Sequence, residues 1–265
     1  MKNYTRTKDI TEELCKYTAG FFDSDGTICF YFNKTKEGHF RIAMRASCCQ
    51  IDNRGRGFKL LESFCEDFGV GNLMKRDTRY ENDKPQLVWN IASLEHLEWF
   101  IPKIAKHMVI KGKHFMWMLE TRRKLAGVDL TEEQVKELKA QAKESRLNTG
   151  SLKPKNYPSP AWLAGYVDGD GYLRSSGREQ WLKVGFWKPD KPGCDLIARA
   201  YGGSFYERKS KQNVLEYRLL LGASFYGTAK KLLKSLIPHL RLKRHDAEMI
   251  LYWHKQRLNK KNSTE

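Results

Sequence analysis

The chain has 265 residues, 40% hydrophobic and 30% charged, with 48 Lys and Arg against 31 Asp and Glu, so its formal net charge is +17. That length suits two domains of roughly 100 to 130 residues, and so basic a chain points to a polyanionic partner, most often nucleic acid, over a basic protein that binds none. No apolar run approaches the roughly 20 residues that span a membrane. The polar start Met1-Lys2-Asn3 shows no secretory signal, and the six cysteines form no Cys-x-x-Cys pair or zinc spacing, so reduced thiols in an intracellular compartment are expected.

Thr11-Glu12-Glu13 opens the first predicted helix, with Thr11 as N-cap and acids in the first turn. It runs through Leu14, Tyr17, Phe21 and Phe22, carries the small pair Ala19-Gly20, and ends at Asp23-Ser24-Asp25-Gly26. A helix C-terminus already bears partial negative charge from its unpaired carbonyls, so two acids there repel unless a cation lies close. Carboxylates and free carbonyls are the ligands that Mg²⁺ prefers. An Asp-Gly pair alone is more often a turn.

Strands follow at 27–32 and 40–50, joined by the polar loop 33–39, and the alternation of the second suits one buried and one exposed face. Arg54 and Arg56 lie in the loop before a helix with Leu60, Leu61, Phe64 and Phe68, which ends at Gly69-Val70-Gly71. Two more strands, about 72–79 and 86–92, and helices at about 93–106 and 111–125 complete residues 1–125 as one repeat. Residues 126–158 read as a linker, with a domain surface as the alternative. The linker holds a charged helix over 130–147 whose Thr131 and Gln134 are spaced as a capping box.

Residues 159–265 repeat the plan. Leu163-Ala164-Gly165-Tyr166-Val167-Asp168-Gly169-Asp170-Gly171 ends a helix as Thr18 to Gly26 does, with Gly169 and Gly171 expected at positive φ. Strands are expected at about 171–175 and 180–188, then a helix at 193–201 ending at Gly202-Gly203. Strands at 204–209 and 214–221 and helices at 222–236 and 243–257 follow, with a disordered tail from Asn259. The unit is helix, two strands, helix, two strands, helices: an α+β fold of two pseudo-symmetric αββαββα repeats. Core packing alone does not explain a duplicated helix end with paired acids. The Ala19-Gly20 and Ala164-Gly165 notches would let two helix backbones approach closely, rather than serve as helix filler.

These residues resemble the LAGLIDADG homing endonucleases of the single-chain, two-motif kind. The second motif departs from the name sequence at Tyr166, Val167 and Gly169, the first at Thr18, Phe21, Phe22 and Ser24. The resemblance implies that each repeat has a curved antiparallel four-stranded sheet, together forming a DNA-binding saddle. It implies a monomeric, site-specific double-strand DNA endonuclease that hydrolyses phosphodiesters at a long non-palindromic site.

In that reading Asp25 and Asp170 bridge divalent ions, with Mg²⁺ the expected cofactor, and Ser24 and Gly169 offer carbonyls. Asp23 and Asp168 finish the helices or add ligands. Gln50 and Lys188, at equivalent strand ends, and Lys111 and Lys243, at the start of each last helix, order water and offset charge, with Lys113 or Arg244 as alternatives for the last pair. Arg41, Arg45, Arg76, Arg79, Arg174, Lys183, Arg208, Lys209 and Arg218 are the candidate DNA-contacting residues. Alternatives within the resemblance are an intron RNA maturase with host intron RNA as partner, a non-cleaving DNA-binding regulator, and a nicking variant suggested by the inequality of Gln50 and Lys188. An organelle and a bacterial cytoplasm both suit the sequence.

Overall fold

The structure is a computed structural model and describes residues 9–51, 55–76, 85–147, 158–175, 182–186, 204–209, 215–221 and 226–262. The chain divides into two compact units, Met1–Asn156 and Tyr157–Glu265. Among the described residues, no helix is long and apolar enough to cross a membrane.

The first unit runs α1 (Glu12–Ser24), β1 (Gly26–Lys34), β2 (Phe40–Ile51), α2 (Arg56–Phe68), β3 (Asn72–Arg76), β4 (Gln86–Ile91), α3 (Leu94–Ala105), α4 (Gly112–Lys124) and α5 (Glu132–Leu147). Its strands form one antiparallel sheet in the order β1-β2-β4-β3. Thr11 caps α1, its hydroxyl accepting from Leu14 N at 3.2 Å. Gly69 ends α2 at φ 60°, a left-handed position that glycine occupies at little cost.

The core of this unit is aromatic because α1 sends two consecutive rings into it. Phe21 meets Phe64 of α2 at 5.4 Å between centroids. Phe22 meets Trp89 of β4, Phe100 of α3 and Phe115 of α4 at 5.9, 5.4 and 6.0 Å. Most of these pairs are edge-on, the arrangement ring quadrupoles favour, worth about 0.5–1.5 kcal/mol each beyond area burial. Trp89 keeps its indole N–H satisfied on Val70 O at 2.9 Å.

β2 alternates as its sequence requires. Ile42, Met44, Ala46 and Cys48 are buried, while Arg41, Ala43, Arg45, Ser47 and Cys49 take the other face. Beyond α4 the chain returns to the sheet: Phe40 and Leu130 exchange backbone hydrogen bonds of 2.9 and 2.8 Å. The Thr131–Gln134 capping box forms in both directions. Val135 and Leu138 of α5 then bury against Ile42, flanked by Phe30, Phe32 and Phe40. The stretch read from sequence as linker thus begins with a helix docked on the first unit.

The second unit runs α6 (Pro160–Asp170), β5 (Gly171–Ser175), β6 (Leu182–Phe186), β7 (Ser204–Lys209), β8 (Leu215–Leu221), α7 (Tyr226–Leu236) and α8 (Arg244–Asn262). Its sheet order, β5-β6-β8-β7, matches that of the first. Each unit therefore carries helix, hairpin and second hairpin in the same order, the α+β repeat expected. The helix expected at 193–201 lies outside the described residues. The expectation of a disordered tail from Asn259 is corrected: α8 continues through Asn262, since its Lys- and Asn-rich end contains no Pro or Gly to stop it.

Candidate active site

The two acids of each motif have different fates. Asp23 is 1% exposed. Its carboxylate accepts from the backbone N–H groups of Val109, Ile110 and Lys111 at 2.7, 3.2 and 2.7 Å. Asp168, also 1% exposed, accepts from Arg241, Leu242 and Lys243 at 2.7, 3.0 and 2.9 Å. These donors lead into the first turns of α4 and α8, where backbone N–H groups lack intrahelical partners and the helix dipole favours an anion. Asp23 and Asp168 are thereby committed to structure, the first of the two roles open for them.

The lysine at each of these helix starts turns the other way. Lys111 donates its Nζ to the carbonyls of Phe22, Ser24 and Gly26 at 3.0, 3.0 and 2.8 Å. Lys243 donates to Val167 O and Asp168 O at 2.8 and 2.6 Å. Each ammonium group offsets the negative end of the motif helix and holds its orphan carbonyls. Of the alternatives, Lys113 and Arg244 are exposed, and Arg244 pairs with Glu248 at 2.9 Å. Lys111 and Lys243 are the residues that reach the motifs.

Asp25 is the C-cap residue of α1, half-buried, with its N–H on the carbonyls of Phe21 and Phe22. Its carboxylate accepts directly from the amide of Gln50, at the end of β2. Asp170 is the last residue of α6 and is also half-buried. Ser24 is buried, its hydroxyl donating to Phe21 O at 2.8 Å while its carbonyl receives Lys111. Gly169 lies within α6. Lys188 lies outside the described residues. The Cys48 thiol, close behind, is pushed well up by burial and then by the Asp25 charge, so it stays protonated and unreactive.

The expectation that Gly169 and Gly171 adopt positive φ is corrected. Gly169 is helical, and Gly171 has φ −76° and ψ 157°, which any residue adopts. The requirement for glycine is steric. A Cβ on Gly171 would sit 2.7 Å from Val167 Cα and O, and one on Gly26 2.6 Å from Phe22 Cα and O. In each motif the strand leaves so close to its helix that no side chain fits.

The first sheet's outward face is set by register. Thr27, Ser47, Asn90 and Asn72 align across the four strands, and the adjacent rows carry Cys49, Val88 and Met74, then Ile51, Gln86 and Arg76. Arg45 lies over the Tyr31 ring at 4.6 Å. Arg41 pairs with Asp129 at 2.9 Å, and Arg76 is exposed. Of the loop arginines, Arg56 is exposed at the start of α2, and Arg54 and Arg79 lie outside the described residues. In the second sheet Arg174 is the register partner of Lys183, Arg218 of Gly185 and Tyr206, Arg208 of Glu216 and Lys209 of Leu215. Basic residues alone were singled out from the sequence. The amides Asn72, Gln86 and Asn90 share the face, and carrying the period-two alternation across all four strands finds them.

A divalent cation suits the donors present. The Asp25 and Asp170 carboxylates lie at the negative pole of a helix and are the hard oxygen donors that Mg²⁺ and Ca²⁺ take, whereas the Ser24 carbonyl already receives Lys111. Among the described residues, no three His, Cys, Asp or Glu side chains gather into a self-contained cage.

No family profile and no curated protein matches the chain in sequence. Solved structures do match over nearly its whole length. I-SmaMI bound to uncleaved DNA target in the presence of calcium ions is 17% identical, with a TM-score of 0.63, over 94% of this chain and 92% of that one. I-SmaMI bound to cleaved DNA, described as a LAGLIDADG homing endonuclease, is 19% identical with a TM-score of 0.63, over 98% and 93%. The LAGLIDADG meganuclease I-AabMI bound to uncleaved DNA is 18% identical with a TM-score of 0.61, over 93% and 92%. With two four-stranded sheets of identical order, each led in by a helix ending in the acidic motif, the chain has the fold of the single-chain, two-motif LAGLIDADG homing endonucleases.

Proposed function

We propose that this protein is a DNA endonuclease of the homing type, cutting both strands of a long, non-palindromic duplex site with divalent metal ions. The observation that carries the reading is the division of labour within each motif. The first acid is spent on a helix N-terminus, and the second stands half-buried at the carbonyl end of the motif helix. A protein that only bound nucleic acid would gain nothing from a second acid there, since a carboxylate repels phosphate.

In this reading Asp25 and Asp170 hold the ions, one carboxylate from each repeat, with Mg²⁺ the physiological metal. Bound divalent ions neutralise charge on the attacking and leaving oxygens of a phosphodiester. Gln50 fixes the Asp25 carboxylate through its amide. Lys111 and Lys243 hold the helix ends that present the acids, so they act as positioning residues. The outward sheet faces read the duplex, with amides and arginines on base edges and phosphates. Different side chains on the two sheets would make the site asymmetric. The DNA-bound relatives of the same fold support the substrate class.

The test uses the purified chain and a library of long duplexes spanning intron insertion junctions, with Mg²⁺ or Ca²⁺. Discrete double-strand cuts in Mg²⁺, abolished in Asp25→Asn and in Asp170→Asn while DNA binding persists, support the reading. Selective duplex binding with no cut in either metal overturns it in favour of a regulator. Binding to intron RNA alone overturns it in favour of a splicing factor.

A further inference from the structure

A pocket of about 210 Å³ lies in the first unit between β1, α4 and α5, and none of the motif acids lines it. Its floor includes Phe30 and Phe32, whose ring centroids are 6.3 Å apart. Both are half-buried and lie on the helix-covered side of β1, opposite in strand parity to Tyr31. One wall is His114, which stacks on Trp117 at 6.5 Å and meets Ser145 Oγ through Nδ1 at 3.2 Å. The rim is Lys139, Lys143 and Arg146, all exposed and all from α5.

The spacing of these three cations, i, i+4 and i+7, puts them along one stripe of α5. Like charges so placed repel each other. Elsewhere on the helix Lys136 pairs with Glu132 at 3.2 Å. Along this stripe Lys139 lies over the Phe32 ring, at 5.6 Å, and among the described residues neither Lys143 nor Arg146 forms an ion pair. Burial, followed by the positive charges of Arg146 and Lys111, pushes the His114 pKa down to about 4. The wall is therefore a neutral aromatic group at physiological pH.

An aromatic floor, a neutral imidazole wall and a rim of exposed cations fit a flat ring joined to a phosphate. The volume suits one base better than a drug-sized ligand, for which pockets start at about 300 Å³. We propose that this pocket takes one unpaired nucleotide of a single-stranded nucleic acid, its base against Phe30 and Phe32, whose rings stand at 69° so that the base stacks on one and meets the edge of the other, and its flanking phosphates on Lys139, Lys143 and Arg146. The chemistry is that of stacking platforms combined with an electrostatic track. The site is separate from the proposed cleavage centre and does not depend on it.

The experiment measures binding of fluorescein-labelled short oligouridylate and oligothymidylate to the full chain, beside a labelled random-sequence duplex. The rim variant Lys143→Glu/Arg146→Glu is compared with the sheet-face variant Arg41→Glu/Arg76→Glu. The rim variant is expected to weaken single-strand binding about tenfold or more and duplex binding less than about twofold, with the opposite pattern for the sheet-face variant. Phe32→Leu, which keeps the apolar volume, is expected to weaken single-strand binding alone. Uridine 5′-monophosphate should displace the oligonucleotide better than uridine does. A preference for oligouridylate assigns the site to RNA, and a preference for oligothymidylate to single-stranded DNA. Equal losses for single strand and duplex in the rim variant overturn the proposal, because the rim is then only part of the general basic field. Dodecyl phosphate competing better than uridine monophosphate also overturns it, because the pocket then holds an apolar tail.

Discussion

Asp23 and Lys111 hold each other's helices in opposite directions. The Asp23 carboxylate accepts the Lys111 N–H at 2.7 Å at the start of α4, while Lys111 Nζ binds Ser24 O and two other carbonyls at the end of α1. Asp168 and Lys243 repeat this double clasp in the second unit, with 2.9 Å for the corresponding N–H contact. The clasp puts an anion at a helix N-terminus and a cation at a helix C-terminus, the favourable sense at both poles.

Removing the anion leaves buried N–H groups without a partner. Asp23→Ala is expected to destabilise the first unit by about 2–4 kcal/mol, more than a surface cap loses, because three N–H groups depend on the one carboxylate. Asp23→Asn, which keeps one acceptor oxygen, should lose about half as much. Urea denaturation of the two variants checks the order.

Removing the cation acts on geometry as well as stability. Lys111→Met keeps the apolar stem but frees the carbonyls of Phe22, Ser24 and Gly26. A loss of about 1–2 kcal/mol is expected. DNA cutting should fall at least about tenfold, with duplex affinity changed less than about twofold, because the displaced helix end carries Asp25. Single-turnover cleavage rates and equilibrium binding separate the two effects. An affinity loss as large as the rate loss would make Lys111 a phosphate contact.

The two kinds of glycine should respond differently. Gly26→Ala or Gly171→Ala forces a Cβ to within 2.7 Å of helix backbone, which cannot give way. A loss of about 3 kcal/mol or more is expected, or failure to fold. Gly38 has φ 88° and open space around its Cβ position, so Gly38→Ala should cost only about 1 kcal/mol. Thermal melts of the three variants test whether contact or conformation sets the cost.

His114 gives the fold a defined pH dependence. Burial, helped by Arg146 and Lys111, lowers its pKa from 6.5 to about 4. Between those values the unfolded chain binds the proton and the folded chain does not. The stabilisation from a neutral His114 is therefore fully present above about pH 6.5 and lost as pH falls toward 4. The change should be about 1–3 kcal/mol after allowing for partial solvation. Stability of the parent minus that of His114→Gln, measured by urea denaturation at pH 7 and pH 5, isolates it. A difference independent of pH would show that His114 is not held neutral by the fold.

Gln50 should tune its acid. It donates an amide N–H to Asp25, so Gln50→Glu puts a second carboxylate against the first and raises the proton affinity of the pair. Cutting at neutral pH should drop and its pH profile shift upward, while Gln50→Leu should lower the rate without that shift. Rate–pH profiles at saturating Mg²⁺ distinguish the two.

Most of the architecture was legible in the residues. Alternation in Arg41 to Cys49 predicted a two-faced strand, and Thr11, Gly69 and the Thr131–Gln134 box marked element ends, because capping and pleat are local properties that short stretches encode. The duplication of Asp-small-Asp-Gly picked out Asp25 and Asp170. What each neighbour of these acids does was not legible. Asp23 and Lys111 are 88 positions apart; the family pattern singled out Lys111 and Lys243, but neither motif nor spacing says which carbonyls they reach or which acid meets a distant helix start.

By itself, then, the sequence determined the repeat, the order of its elements and the pair of acids on which a nuclease reading rests. Each of these is written in nearest-neighbour patterns of polarity and turn chemistry. The tertiary structure decided which acid is structural, why Gly26 and Gly171 must lack a side chain, and where α5 lays three exposed cations over an aromatic floor. Each of those depends on which distant segments come within a few ångströms, and chain folding sets that through packing of the aromatic core.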